Sequence, residues 1–163
     1  MTKKIWLTTS AFLLMLVAAI YLIAYNLSQS ELQKTISIKG DGVTTDRIEV
    51  RQLLLHPGET QEYTVTFKSE LEGEFAISLD YCETRDGGMK PYVNAVISSG
   101  DRVLFNGALE TLLQKNRTVD FDAELTPKDP LTITLCYSMP ENIGNEAQAT
   151  FAEFDIIVTV ERK

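Results

Sequence analysis

The chain has 163 residues, of which 44% are hydrophobic and 23% are charged. That composition excludes a wholly disordered chain, and the length allows one domain beside a short terminal segment. The formal net charge of −8 repels phosphate groups, so the sequence argues against nucleic acid as a partner.

An uncharged stretch runs from Ile5 to Tyr25, directly after the basic residues Lys3 and Lys4. A helix of roughly 20 residues spans the hydrocarbon core of a bilayer. We therefore predict a cytoplasmic N-terminus over residues 1–4, a transmembrane signal anchor over residues 5–25 and a linker over residues 26–33. Because basic residues stay on the cytoplasmic side, the rest of the chain is expected outside the cell membrane. A cleaved signal peptide, which has a shorter apolar core, is the alternative.

From residue 34 onward, apolar and polar side chains alternate as they do in half-buried strands. Eight or nine such segments follow one another at a spacing of about ten residues, separated by turn sequences such as Asp86-Gly87-Gly88. A break in the alternation near Gln52 predicts a β-bulge, and residues 108–113 are the one stretch that reads as helix. We predict an all-β domain over residues 34–163, a sandwich or jelly roll of antiparallel strands behind one N-terminal transmembrane helix.

The core of this domain is predicted from the inward positions of the strands, which are apolar almost throughout. They are Tyr63, Val65, Phe67, Phe75, Ile77, Leu79, Val119, Phe121, Leu131, Ile133, Leu135, Phe154, Ile156 and Val158.

Catalytic motifs are scarce. His56 is the single histidine, which excludes a histidine-rich zinc site, and it precedes Pro57-Gly58-Glu59 in a predicted turn. The sequence has no glycine-rich phosphate loop, and we predict neither a cofactor nor an enzymatic activity. A carboxylate pair that converges only in the folded protein is not excluded by spacing.

Three carboxylates, Asp120, Asp122 and Glu124, project from one face of a predicted strand. The favoured interpretation is a solvated sheet face that discourages aggregation. A Ca²⁺ site is the alternative, because that ion takes six to eight oxygen ligands.

The two cysteines, Cys82 and Cys136, fall on the outward side of their strands. If the two strands are neighbours in one sheet, a disulfide is geometrically allowed. If they lie in opposite sheets, about 10 Å apart, the side chains diverge and stay free.

The last third of the sequence carries Tyr137-Ser138-Met139-Pro140-Glu141, then Gly144-Asn145-Glu146-Ala147-Gln148 and a final alternating strand. Together with Leu55-His56-Pro57-Gly58-Glu59 and Gly107-Ala108-Leu109-Glu110-Thr111-Leu112, these segments resemble the camelysin/TasA-type surface proteins of Gram-positive bacteria. The resemblance covers most of residues 36–160. It implies a jelly-roll-like sandwich and a role in surface layers or biofilm matrix fibres. The chain departs from the family in its long anchor, and it offers no set of zinc ligands for the metalloprotease activity ascribed to some relatives.

The function expected from the sequence is that of a membrane-anchored, non-catalytic surface protein that contacts other surface proteins or itself. Asn145, Glu146 and Gln148 are the candidate interaction residues, although the same side chains would also serve to pin their own loop. Two alternatives stay open. One is a module that binds glycans or cell-wall material through an exposed aromatic such as Tyr92 or Phe105, and the other is a hydrolase related to camelysin.

The anchor prediction is tested by the intact mass of the protein taken from its own membranes. We expect the mature protein to retain Ile5–Tyr25 and to need detergent for extraction, because an apolar helix of that length is stable in a bilayer. Loss of the first 25–30 residues or so would identify a cleaved signal peptide instead.

Overall fold

A computed structural model describes residues 33–114 and 117–163. The chain divides into two units, Met1–Gln33 and Lys34–Lys163, and all described residues except Gln33 belong to the second. The predicted anchor over Ile5–Tyr25 lies outside the described residues. Within the described ranges, no helix is long and apolar enough to cross a membrane.

The described residues are mostly β-strand, as the alternating pattern predicts. The strands are β1 (Gln33–Ile38), β2 (Thr44–Leu53), β3 (Thr60–Ser69), β4 (Gly73–Gly87), β5 (Asn94–Ser99), β6 (Arg102–Ala108), β7 (Thr118–Leu125), β8 (Leu131–Ser138) and β9 (Phe151–Arg162). Helical structure here is limited to the short helix α1 (Leu109–Leu112) and two 3₁₀ turns, Lys90–Tyr92 and Asn145–Ala147.

The strands form two sheets, one of five strands in the order β1-β3-β8-β5-β6 and one of four in the order β2-β9-β4-β7. Consecutive strands alternate between the two sheets, and the β5–β6 hairpin is the one exception among the described strands. The hydrogen-bonded pairs β2–β9, β4–β9, β4–β7, β3–β8, β5–β8 and β5–β6 are antiparallel. The inner faces of the sheets carry the buried side chains, so the expectation of a β-sandwich is confirmed.

The pair β1–β3 differs from the predicted antiparallel arrangement. The Glu70 N–H donates to the Ile38 carbonyl at 3.1 Å; Ile38 is the last residue of β1, and Glu70 directly follows the last residue of β3. Two neighbouring strands whose ends coincide in this way run in the same direction. The chain reaches this arrangement because β2, which separates β1 from β3 in sequence, crosses into the other sheet.

The predicted core positions are buried, except that Leu131 at the start of β8 is half-buried. The predicted bulge also lies in β2, where the register with β9 shifts between Val50 and Leu53. Gln52 has a φ of 52° there, which a residue other than glycine adopts only at a cost. The bulge inserts an extra residue, so Leu53 returns to the inward side and is fully buried.

Aromatic side chains join the two sheets in the core. The hydroxyls of Tyr81 on β4 and Tyr137 on β8 lie 3.1 Å apart, and both rings are buried. The ring of Phe154 on β9 packs against both, at centroid distances of 5.8 Å to Tyr81 and 5.6 Å to Tyr137. Burial raises the pKa of both tyrosines above the ordinary value of 10.0, so the hydroxyls stay protonated and hydrogen-bonded across physiological pH.

This pair predicts a thermodynamic coupling between the two sheets. Tyr81→Phe or Tyr137→Phe alone leaves one buried hydroxyl without its partner, so each should lower the free energy of unfolding by about 1–3 kcal/mol. The double variant should lose less than the sum of the two losses, because it leaves neither hydroxyl behind. Urea denaturation of the detergent-solubilised full-length protein measures all three.

The matched control for this cycle is Tyr92→Phe, which removes a hydroxyl from a half-buried ring and should change the unfolding free energy by a few tenths of a kcal/mol. If the loss of unfolding free energy in the double variant equals the sum of the two single losses, the two hydroxyls do not interact.

Candidate interaction surfaces

The described residues bury few ionisable side chains. Their single buried carboxylate is Asp155 on β9, which is 6% exposed and forms an ion pair with Arg47 on β2. Asp155 is therefore paired with a cation rather than with a second acid.

The outer surface of the four-stranded sheet is acidic, and we name it the acidic face. Its outward positions are Thr45, Arg47, Glu49 and Arg51 of β2; Glu153, Asp155, Ile157, Thr159 and Glu161 of β9; Glu74, Ala76, Ser78, Asp80 and Cys82 of β4; and Thr118, Asp120, Asp122 and Glu124 of β7. Nine of these side chains are acidic and two are arginines. Most of the excess negative charge of the domain therefore lies on one side.

The three carboxylates predicted to share a strand face do so on the edge strand β7, where all three are exposed. Glu124 lies directly opposite Glu74 of β4, which places like charges side by side. The Lys163 ammonium lies between the strands, 2.7 Å from Asp122 and 3.5 Å from Glu74. An open groove of about 420 Å³ runs along this edge, lined by Gly73, Glu74, Asp122, Ala123 and Glu124.

A Ca²⁺ site would need several oxygen ligands to converge on one point. In the part of the chain that the structure describes, no group of three or more His, Cys, Asp or Glu side chains is placed to hold a metal ion. Along a strand, side chains on one face are about 6.6 Å apart, which is too far for Asp120, Asp122 and Glu124 to converge on one ion. The carboxylates thus form a solvated, acidic strand edge.

The outer surface of the five-stranded sheet is different, and we name it the hydroxyl face. Its outward positions are Thr35 and Ser37 of β1; Thr60, Glu62, Thr64, Thr66 and Lys68 of β3; Thr132, Thr134, Cys136 and Ser138 of β8; Asn94, Val96 and Ser98 of β5; and Val103 and Asn106 of β6. Glu62 and Lys68 are its only charged members and cancel each other. The interpretation of the sequence missed this face, although the two Thr-x-Thr segments, residues 64–66 and 132–134, are its visible signal.

The predicted interaction residues Asn145, Glu146 and Gln148 are exposed, in the loop between β8 and β9. The amide of Gln148 donates to the Asn145 side-chain carbonyl at 2.8 Å, and the Gln148 N–H donates to the Asn145 backbone carbonyl at 3.1 Å. Asn145 and Gln148 thus pin the loop, as one reading of the sequence expected, and the three side chains remain at the surface.

The base of this loop is fastened to the Pro57-Gly58 turn between β2 and β3. The Met139 N–H donates to the Glu59 carbonyl at 3.0 Å, and the Gly58 N–H donates to the Met139 carbonyl at 2.9 Å. Gly58 has a φ of 85°, a conformation that suits glycine. A loop held at its base and along its length presents its exposed side chains at low entropic cost.

The other residues singled out in the sequence do not form a site together. His56 is exposed in the turn before Pro57, where its backbone N–H donates to the Glu59 carboxylate at 2.8 Å. Tyr92 is half-buried in a 3₁₀ turn. Phe105 is half-buried and lies opposite the buried Ile97, so it occupies the inward side of β6. Neither aromatic ring provides an exposed platform for a sugar.

The two cysteines lie on opposite sides of the sandwich. Cys82 is on β4 in the acidic face, Cys136 is on β8 in the hydroxyl face, and both are free thiols. Because they belong to different sheets and point outward, they diverge rather than bond. Burial raises the pKa of both thiols, and it is reinforced by Asp80 and Asp155 at Cys82 and by Glu62 at Cys136.

These surroundings predict how the thiols react. The pH midpoint of alkylation should lie above the ordinary pKa of 9.0 at both cysteines. Asp80→Asn should lower the midpoint at Cys82, because it removes a negative charge that disfavours the thiolate. Site-resolved mass spectrometry reads both thiols in one sample, and Cys136 is the internal control. An equal shift at Cys136, or a peptide that links the two cysteines, would contradict the arrangement.

No protein-family model matches the chain, and no curated protein matches it. Solved structures with partial similarity include the pre-peptidase C-terminal domain of collagenase from Bacillus anthracis, at 14% identity and a TM-score of 0.36, over 77% of this chain and 93% of that one. Another is the C-terminal CBM6 of LamC from Zobellia galactanivorans, at 14% identity and a TM-score of 0.34, over 73% of this chain and all of that one. A third is PliG of Aeromonas hydrophila, a periplasmic lysozyme inhibitor, at 6% identity and a TM-score of 0.32, over 79% of this chain and 97% of that one. Similarity at this level assigns neither a family nor a function.

Proposed function

We propose that the protein is a membrane-anchored, non-catalytic surface protein whose extracytoplasmic domain acts through protein–protein contacts. The observation that carries the proposal is the placement of the ionisable side chains. They lie on outward positions and in turns, and the one carboxylate that is buried among the described residues is paired with Arg47. Groups on outward positions are solvated and their charges are screened by water and salt, which suits a contact surface better than acid–base chemistry.

Three further features support a role at the cell surface. The alternation of consecutive strands between the sheets favours a jelly-roll-like form of the sandwich. The segments around residues 55–59, 107–112 and 137–148 resemble camelysin/TasA-type proteins, which favours a component of a surface layer or biofilm matrix, or its anchoring subunit. The apolar stretch at Ile5–Tyr25 would hold such a subunit on the outer side of the membrane.

Within this function, the loop that carries Asn145, Glu146 and Gln148 is the first candidate contact. Its side chains are exposed, and its base is hydrogen-bonded to the Pro57-Gly58 turn. Preorganised exposed loops lose little conformational entropy when they bind.

The test replaces Asn145, Glu146 and Gln148 together with alanine. After cross-linking in intact cells, capture through the full-length protein should recover at least one partner from wild type and several-fold less of it from the variant. The reason is that the variant removes exposed side chains without touching the core. Circular dichroism should show the same strand content in both proteins.

A matched control changes Asp101, Lys128 and Asp129 to alanine, since these residues are exposed at the opposite end of the sandwich. This control should capture the partner as wild type does. The proposal fails if the loop variant keeps every partner while the purified protein hydrolyses a peptide or glycan and His56→Ala abolishes that activity.

A further inference from the structure

We propose that the hydroxyl face binds the same face of a second copy of this chain, with β3 of one copy lying antiparallel over β3 of the other. The proposal rests on the proposed function, because it names one partner for a protein that acts through surface contacts. It involves a different surface from the loop at residues 145–148.

The distribution of charge favours this face over the others. The chain carries a formal charge of −8, and the acidic face holds nine acids against two arginines. Two copies that met through their acidic faces would bring like charges together, and such contacts disfavour association. The hydroxyl face carries one acid and one base, so two copies meet there without net repulsion.

The side chains of the hydroxyl face are suited to packing against the same face of a second copy. Thr64 lies opposite Thr134, and Thr66 lies opposite Thr132, so the centre of the face is a regular patch of methyl and hydroxyl groups. β8 is the central strand of its sheet, with β3 and β5 on either side. The outward positions include no aromatic side chain, which sugar-binding faces use for stacking, and no cluster of bases for an anionic partner.

The positions of the two charged side chains determine how the two copies would be oriented relative to each other. Glu62 and Lys68 point outward from β3 and lie six positions apart, which is about 20 Å along a strand. A two-fold axis at the level of Val65, midway between them, reverses the strand direction and places Glu62 of each copy opposite Lys68 of the other. Packed sheets keep their strands within about 30° of each other, and both side chains are long enough to follow that rotation. Among the described residues, Lys68 has no ion-pair partner within its own chain.

An isologous contact of this kind makes a prediction specific to its symmetry. Glu62→Lys creates two Lys–Lys contacts and Lys68→Glu creates two Glu–Glu contacts, so each variant should self-associate about tenfold more weakly than wild type, or worse. An equimolar mixture of the two variants should associate again, because each contact between charged residues in the mixed dimer then joins a lysine to a glutamate. The double variant should also associate, since it exchanges the two charges.

Sedimentation velocity of the detergent-solubilised full-length protein, over a range of concentrations, measures the association. The charge-matched controls are Glu161→Lys on the acidic face and Lys128→Glu in the turn between β7 and β8, both at exposed positions. Both should leave the association within about twofold of wild type, because neither residue lies on the hydroxyl face.

Several outcomes would overturn the proposal. They are a wild type that stays monomeric at every concentration, single variants that associate as wild type does, and a mixture of the two variants that stays monomeric. Association through the anchor segment alone would be recognised by its insensitivity to both reversals. Failure here leaves the capture result of the loop variant unchanged, whereas a hydrolysis that needs His56 would defeat the proposed function and leave this association result unaffected.

Discussion

The hydrogen bond between the Tyr81 and Tyr137 hydroxyls forms because both side chains point into the core, as do the apolar residues at every second position of β4 and β8. Side chains alternate along a strand, so a slip of one residue would move every side chain to the other face. The two hydroxyl oxygens lie 3.1 Å apart, and the ring of Phe154 packs against both tyrosines. These contacts link one sheet to the other. Cys82 and Cys136, each one residue away, must then point outward on opposite sides of the sandwich.

The alternation of side chains along each strand also separates the surface charges. With Leu79 and Tyr81 turned inward, Asp80 and the acids of the neighbouring strands lie together on the acidic face. With Leu135 and Tyr137 turned inward, Thr134 and its hydroxyl-bearing neighbours lie on the hydroxyl face. One face therefore carries a strong negative potential, which attracts cations and repels further copies of the chain. The other face carries almost none.

Much of this arrangement was predictable from the sequence because it depends on local periodicity. A period of two identifies a half-buried strand and its inward side, which is why the core around Phe75, Ile77 and Leu79 was predicted correctly. A break in that period marks an extra residue, so the bulge at Gln52 was visible as well. The exposure of Asn145 and Gln148 followed from their polarity and from their position between two strands.

Which strands become neighbours is decided only in the tertiary structure, because side-chain alternation carries no information about sheet partners. The sequence left Cys82 and Cys136 with two outcomes, and the assignment of β4 and β8 to different sheets selects free thiols. The parallel pair β1–β3 likewise depends on β2 crossing to the other sheet, a step that no local pattern specifies. The hydroxyl face forms from five strands, of which β5 and β6 are consecutive in the chain and the other three are not. The sequence already contains the alternation that turns each threonine outward. The face becomes a single surface without net charge only when those strands pair.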